Sequence, residues 1–115
     1  MSTNKKYRNI LFYKHYFEDF YKKQNKRVKD KIKWTLRLIE DLEVVPNIYM
    51  KYMTGTNGIY EIRIKTGTDI FRIFCFFDHE NLVVVGNGFQ KKTQKTSKNE
   101  ILKAMQIKQN YENEK

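Results

Sequence analysis

The chain has 115 residues, 40% of them hydrophobic and 15% aromatic, too much buriable surface for a disordered protein and about right for a single domain over residues 1–115. No apolar run approaches the ~18 residues of a membrane span, and the polar stretch 1–8 lacks the apolar core of a secretion signal, so neither a membrane protein nor a secreted one is expected. Formal net charge is +10, from 23 basic and 13 acidic residues, which points to a polyanionic partner; a solvated lysine-rich surface is the bland alternative.

Residues 10–13 are short and apolar and predict a first strand. Residues 15–22 read as a short helix with Phe17, Phe20 and Tyr21 on its apolar side, and Gln24 and Asn25 interrupt the pattern. A longer helix follows over 26–42. Val28, Ile32, Leu36 and Ile39 recur at helical spacing, Leu38 and Leu42 widen the stripe, and Lys29, Lys31, Lys33 and Arg37 occupy the other side. Pro46 marks the end of this helix.

Beyond Pro46 the period changes to two. Over 59–65, Tyr60, Ile62 and Ile64 face one way, and Glu61, Arg63 and Lys65 face the other. Thr66 to Asp69 supplies a turn, and 70–77 reads as a central strand whose only charge is Arg72. A second turn, Asp78 to Asn81, leads into a strand over 82–89, in which Gly86 and Gly88 mark a bulge or bend. Short turns between consecutive strands imply an antiparallel meander. The last helix begins after Thr96 or Ser97; Ser97 with Glu100 matches a capping box, and Ile101, Ala104, Met105 and Lys108 suggest its packed face. The expected fold is therefore α+β: N-terminal helices packed on a twisted antiparallel sheet, with a C-terminal helix, the helices on one face of the sheet and the other face free for a ligand.

The run from Gly88 to Lys98 sets four lysines within eight residues at the end of a strand, a place to hold phosphate. If the meander forms, Glu61, Arg63, Lys65 and Arg72 share one face and Lys91, Lys92 and Lys95 arrive beside them. Arg72 has two compatible readings: an ion pair with Glu61, or a phosphate ligand that Glu61 orients. A cluster of this kind can bind a scissile phosphate and stabilise the extra charge of its transition state. RNA cleavage without a metal also needs an activated 2′-hydroxyl and a donor for the leaving oxygen. Glu61 is a candidate base, and Lys91 or Lys92 a candidate acid or electrostatic stabiliser. His15 and His79 read as surface or capping residues. Tyr60 either stacks on a base or fills the core. No metal-ligand spacing is present, so no metal or other cofactor is expected. The lone cysteine, Cys75, reads as a buried thiol in a reducing, cytoplasmic setting rather than as a nucleophile.

Three segments carry a family resemblance: Gly55-Thr56-Asn57-Gly58-Ile59-Tyr60-Glu61-Ile62-Arg63, Phe71-Arg72-Ile73-Phe74-Cys75-Phe76-Phe77, and Asn87-Gly88-Phe89-Gln90-Lys91-Lys92-Thr93-Gln94-Lys95-Thr96. Through them the chain, from about Leu11 to Tyr111, resembles the HigB-like toxins of the RelE/ParE superfamily, in particular their phage-derived Gp49-like branch. The family pattern usually continues with proline; Ser97 stands there instead, and either residue can open a helix. The resemblance implies a type II toxin of a toxin–antitoxin pair that acts as a ribosome-dependent, metal-independent mRNA endonuclease at the ribosomal A site. It implies functional positions at Arg63, Arg72, Lys91 and Lys92, with Lys65, Lys95 and Glu61 as further RNA-binding residues. It also implies a HigA-like helix-turn-helix antitoxin as partner, with operator DNA reached only through that antitoxin. Two other functions stay open on sequence alone: a ParE-like inhibitor of DNA gyrase, and a non-catalytic basic module that binds RNA or ribosomes and blocks translation passively.

Overall fold

A computed structural model describes residues 6–115. The polar N-terminal reading falls mostly on residues 1–5, outside the described residues. In chain order the elements are β1 (Asn9–Phe12), α1 (Tyr16–Tyr21), α2 (Lys26–Asp41), β2 (Met50–Tyr52), β3 (Tyr60–Thr66), β4 (Asp69–Asp78), β5 (Leu82–Lys91) and α3 (Lys98–Asn113). The five strands form one sheet in the order β1-β5-β4-β3-β2.

The fold is α+β, as the alternation of periods implies. The β3–β4–β5 meander is antiparallel, and β2 joins it antiparallel at one edge. The sheet is mixed, however: β1 lies parallel to β5 at the other edge, with Asn9 opposite Leu82 and Phe12 opposite Val85. The crossover from β1 to β5 takes in most of the chain, so no local signal announces it.

Helix α2 starts at Asn25, whose side chain accepts the Val28 amide at 3.0 Å. Its stripe of Val28, Ile32 and Ile39 packs with Phe20 of α1 on Ile62, Ile64, Phe71, Ile73, Cys75, Val83 and Val85. Its last turn is closed from a distance. Arg8 donates from Nη1 to the Ile39 and Leu42 carbonyls, at 3.1 and 2.6 Å, and from Nη2 to the Glu43 carbonyl at 2.9 Å. Cys75 is buried in this core, and burial pushes its thiol far above the usual range. Tyr60 packs against the same core, edge to face with Tyr52 and Phe77.

The expectation that all helices share one face is corrected. α3 lies on the opposite face, where Ala104 and Ile107 are buried against Tyr13, Ile59, Phe74, Phe76 and Val84. Its packed stripe runs through Ile101, Ala104, Ile107 and Tyr111 rather than Met105, which is exposed. The predicted capping box forms only by half. Ser97 accepts the Asn99 amide at 3.2 Å, but the Glu100 carboxylate turns to the Asn87 side-chain amide, also at 3.2 Å. Asn87 lies in the bulge foreseen at the glycines: Ile73 pairs with Gly88 and Cys75 with Val85, so β5 carries one residue more than β4 between them. Gly88 is needed there, because a Cβ on it would stand 2.6 Å from Cδ2 of Phe20.

Candidate nucleic-acid interface

The face that receives α3 is only partly covered by it. Register places two rows of side chains at the other end of that face. Arg63, Arg72 and Phe89 stand opposite one another across β3, β4 and β5; one step further, Lys65, Ile70 and Lys91 do the same. The antiparallel ladder thus converts three separate sequence segments into one cationic surface. Phe89 is half-buried and packs on Phe74, with ring centroids 5.5 Å apart, so the arginine row abuts the α3 core.

Arg72 is 6% exposed, Glu61 is 7% exposed, and their contact resolves which elementary interaction holds the charge inside the sheet. Glu61 Oε1 lies 3.6 Å from Arg72 Nε and 3.5 Å from Arg63 Nε. Arg72 also donates from Nη1 to the Phe71 carbonyl at 3.1 Å. Glu61 Oε2 and Arg72 Nε are both buried and find no hydrogen-bond partner among the described residues. Burial lowers the Arg72 pKa, Glu61 raises it, and Arg63 lowers it again; a guanidinium nonetheless stays charged. Glu61 is therefore the shared counter-ion of two arginines, one buried and one half-exposed. With its carboxylate sunk beneath them, it is poorly placed to reach a ribose hydroxyl.

Two concavities open on this region and meet at Ile70. One, of about 260 Å³, is lined by Ile48, Arg63, Ile64, Lys65, Ile70 and Arg72. The other, of about 390 Å³, is lined by Thr68, Ile70, Lys91, Lys92, Thr93 and Gln94. Arg63, Lys65, Arg72 and Glu61 are thus gathered at one end of β3–β4, and Lys91 and Lys92 stand beside them. Lys95 is exposed in the loop beyond and lines neither concavity; its carbonyl accepts from the Thr93 hydroxyl at 2.8 Å. His15 and His79 are exposed and lie against Asp19 and Asp78, at 2.8 and 3.5 Å. Among the described residues no group of His, Cys, Asp and Glu gathers in a way that could hold a metal ion, and no helix is long and apolar enough to cross a membrane.

Sequence reasoning missed Ile48 and Lys51. Ile48 lies in the loop before β2, and Lys51 stands opposite Glu61 in the β2–β3 register. Three residues of strand are too few to show a period, so β2 left no signal that could have placed either of them.

No curated protein matches the chain. A family model, that of the phage-derived Gp49-like proteins (DUF891), matches residues 19–109, which take in both arginines and the whole lysine loop. The chain belongs to this Gp49-like family, a toxin-like family related to the RelE/ParE-type toxins.

Proposed function

We propose that the protein is the toxin of a type II toxin–antitoxin pair, HigB-like in action, that cuts mRNA on the ribosome in the cytoplasm. The observation that carries this reading is the pair of rows, Arg63–Arg72 and Lys65–Ile70–Lys91, on the part of the sheet that α3 leaves open. Metal-free RNA cleavage needs positive charge at the phosphate more than it needs a strong base, because the 2′-oxygen attack adds negative charge to the phosphate oxygens. Arg63 and Lys91, each partly exposed and flanking Arg72 and Ile70 in the rows, are placed to touch those oxygens. Arg72 adds fixed charge from below, and Lys92 and Lys65 track the flanking phosphates. In the reaction the 2′-oxygen forms a bond to phosphorus as it loses its proton, and the bond to the 5′-oxygen breaks as that oxygen gains one. The ribosome holds the codon in line for this step.

A helix-turn-helix antitoxin of the HigA type is the partner that fits a chain of net charge +10, through an acidic surface that covers the cationic rows. Operator DNA is then reached through the antitoxin alone.

Primer extension on a defined mRNA in a purified translation system, with and without ribosomes, tests the reading against Arg63→Ala and Lys91→Ala. Cuts confined to ribosome-bound message and lost in both variants are the expected result. DNA-damage signalling with intact mRNA would move the assignment to gyrase inhibition. Arrested translation over intact mRNA would move it to a passive block.

A further inference from the structure

We propose that Asn87 and Glu100 are positioning residues, and that the bond between them is a clasp holding the lysine loop, residues 92–97, beside the cationic rows. The inference rests on the RNA-substrate reading above but not on cleavage.

The bulge in β5 is what aims Asn87. Val85 lies in the α2 core, and a Cβ on Gly88 would meet Phe20 of α1. A Cβ on Gly86 would instead meet Ile107 of α3 at 3.5 Å. Strict alternation from Gly86 would send Asn87 to the α2 side. Because the bulge sets Gly86 and Asn87 together opposite Phe74, both point to α3.

Asn87 is 2% exposed, and its Nδ2 donates to the Glu100 carboxylate at 3.2 Å and to the Glu100 carbonyl at 3.4 Å. Both partners are acceptors, so the amide must turn its donor end to α3. Its Oδ1 is thereby left buried, with no hydrogen-bond partner among the described residues. A bare buried carbonyl lowers stability, so what Asn87 holds explains its place better than stability does. Glu100 likewise forgoes the capping box of its own helix to make this bond.

What the pair holds is the least anchored stretch of the cationic surface. From Gly88 to Lys103 no residue is fully buried, and full burial resumes only at Ala104. Sheet pairing ends at Lys91, opposite Ile70. Between Lys92 and Thr96 the side chains make a single hydrogen bond, from the Thr93 hydroxyl to the Lys95 carbonyl. The Asn87–Glu100 bond closes this stretch across 13 positions of the chain. The sheet therefore fixes Lys91, and the clasp fixes Lys92 and the loop beyond it, which line the concavity of about 390 Å³.

The test compares wild type with Asn87→Ala, Glu100→Ala, Glu100→Gln and the double variant Asn87→Ala/Glu100→Ala. Glu100 is only partly buried, so shortening its side chain spares the core. Amide NMR relaxation reads the order of residues 92–97, and binding of a short single-stranded RNA without ribosomes reads the salt dependence. Thermal stability is measured beside them. Both single alanine variants are expected to loosen the loop. Each should flatten the plot of log affinity against log salt by about 0.7, the share of one phosphate contact, that of Lys92. Glu100→Gln keeps an acceptor and loses only the charge, so it should match wild type. The double variant should be no worse than either single one.

A loop that keeps its order in the alanine variants, Glu100→Gln behaving like Glu100→Ala, or additive losses would each overturn the clasp. So would a fall in thermal stability with the salt slope intact, which would mark a contact of the fold alone. The two readings fail separately. A chain whose loop order and salt slope follow the clasp yet cuts no mRNA keeps the clasp and loses the endonuclease. One that cuts mRNA at the wild-type rate in every variant does the reverse.

Discussion

Arg63 stands directly opposite Arg72 in the β3–β4 register, and Glu61 Oε1 lies 3.5 Å from one guanidinium and 3.6 Å from the other. Like charges facing each other across a strand pair destabilise it, so the carboxylate between them is what makes the arrangement tenable. Removing one partner of a buried ion pair strands the other charge. Arg72→Ala and Glu61→Ala are each expected to lower unfolding stability by about 3 kcal/mol, read as a shift in the urea midpoint. Glu61→Leu with Arg72→Met, an apolar pair of similar volume, is expected to recover most of that loss. Additive losses in the double variant would show that the two side chains do not act as a pair. Loss of toxicity in Arg72→Ala therefore needs a stability measurement beside it, whereas Arg63, half-exposed, reports on function more directly.

The cationic rows predict a salt dependence that differs from residue to residue. Each phosphate contact to a single strand contributes a slope of about 0.7 in a plot of log affinity against log salt. Arg63→Ala, Lys65→Ala and Lys91→Ala should each flatten that plot for a short single-stranded RNA by about this amount. Lys95→Ala should leave it unchanged, since Lys95 lies outside both concavities. In the ribosomal assay, Arg63→Ala and Lys91→Ala should reduce the cleavage rate by about 100-fold, the usual effect of removing one transition-state donor. A slope that falls equally for all four lysine and arginine variants would mean diffuse attraction rather than an ordered track.

How far the sequence foretold this site depends on which residue is asked. The alternation from Tyr60 to Lys65 placed Glu61, Arg63 and Lys65 on one face, and the short turn before β4 brought Arg72 to them; local periods and turns are enough for that. Glu61 as the neighbour of Arg72 was one of two readings the pattern left open, and only the register decides that one carboxylate serves two arginines. Ile48 could not be read at all, because its place beside Arg63 depends on β2, too short to show a period. The side taken by α3 is not legible in the sequence for a different reason. Its apolar stripe is thin, Met105 falls just off it, and which face it covers depends on docking rather than on the helix itself. The parallel edge β1 is likewise a property of the whole chain.

Gly88 and Phe20 give a test of the scaffold beneath the lysine loop. A Cβ at Gly88 would meet Cδ2, Cγ and Cε2 of the Phe20 ring at 2.6, 2.8 and 3.0 Å, so Gly88→Ala must push the ring or the strand aside. Overpacking of this kind destabilises by about 1–3 kcal/mol. The strain falls one residue before Phe89 and three before Lys91, so cleavage should drop along with thermal stability. Trimming the ring in the double variant Phe20→Leu/Gly88→Ala should cost less than the sum of the two single changes. An additive result would mean that the ring already has room to move.

Asp78 ties the end of α3 to the turn between β4 and β5, and it makes part of the stability depend on pH. Its carboxylate accepts the Tyr111 hydroxyl at 2.6 Å and Lys115 Nζ at 2.9 Å. The Tyr111 hydroxyl and then Lys115 hold the Asp78 pKa below its ordinary value. A depressed carboxylate contributes stability above its unfolded pKa and loses it as pH falls through the folded one. The acid limb should therefore soften below the ordinary aspartate range, about pH 4. The same bond acts in the opposite sense on its donor. The Asp78 carboxylate, with burial, pushes Tyr111 up to about 12. A raised tyrosine contributes stability that is complete below its ordinary pKa of about 10 and is lost as pH rises through the folded value. Tyr111→Phe should remove the Tyr111 share of the alkaline loss between those two values, with Tyr13, Lys14 and Lys26, whose pKa values are also raised, keeping theirs, and should shrink the acid one, because Lys115 still faces Asp78. Asp78→Asn should abolish the Asp78 share of the acid component, leaving that of Asp19, Asp30 and Glu114. Thermal unfolding of wild type and both variants from acid to alkaline pH reads these limbs directly. An alkaline limb unchanged in Tyr111→Phe would assign it to another group.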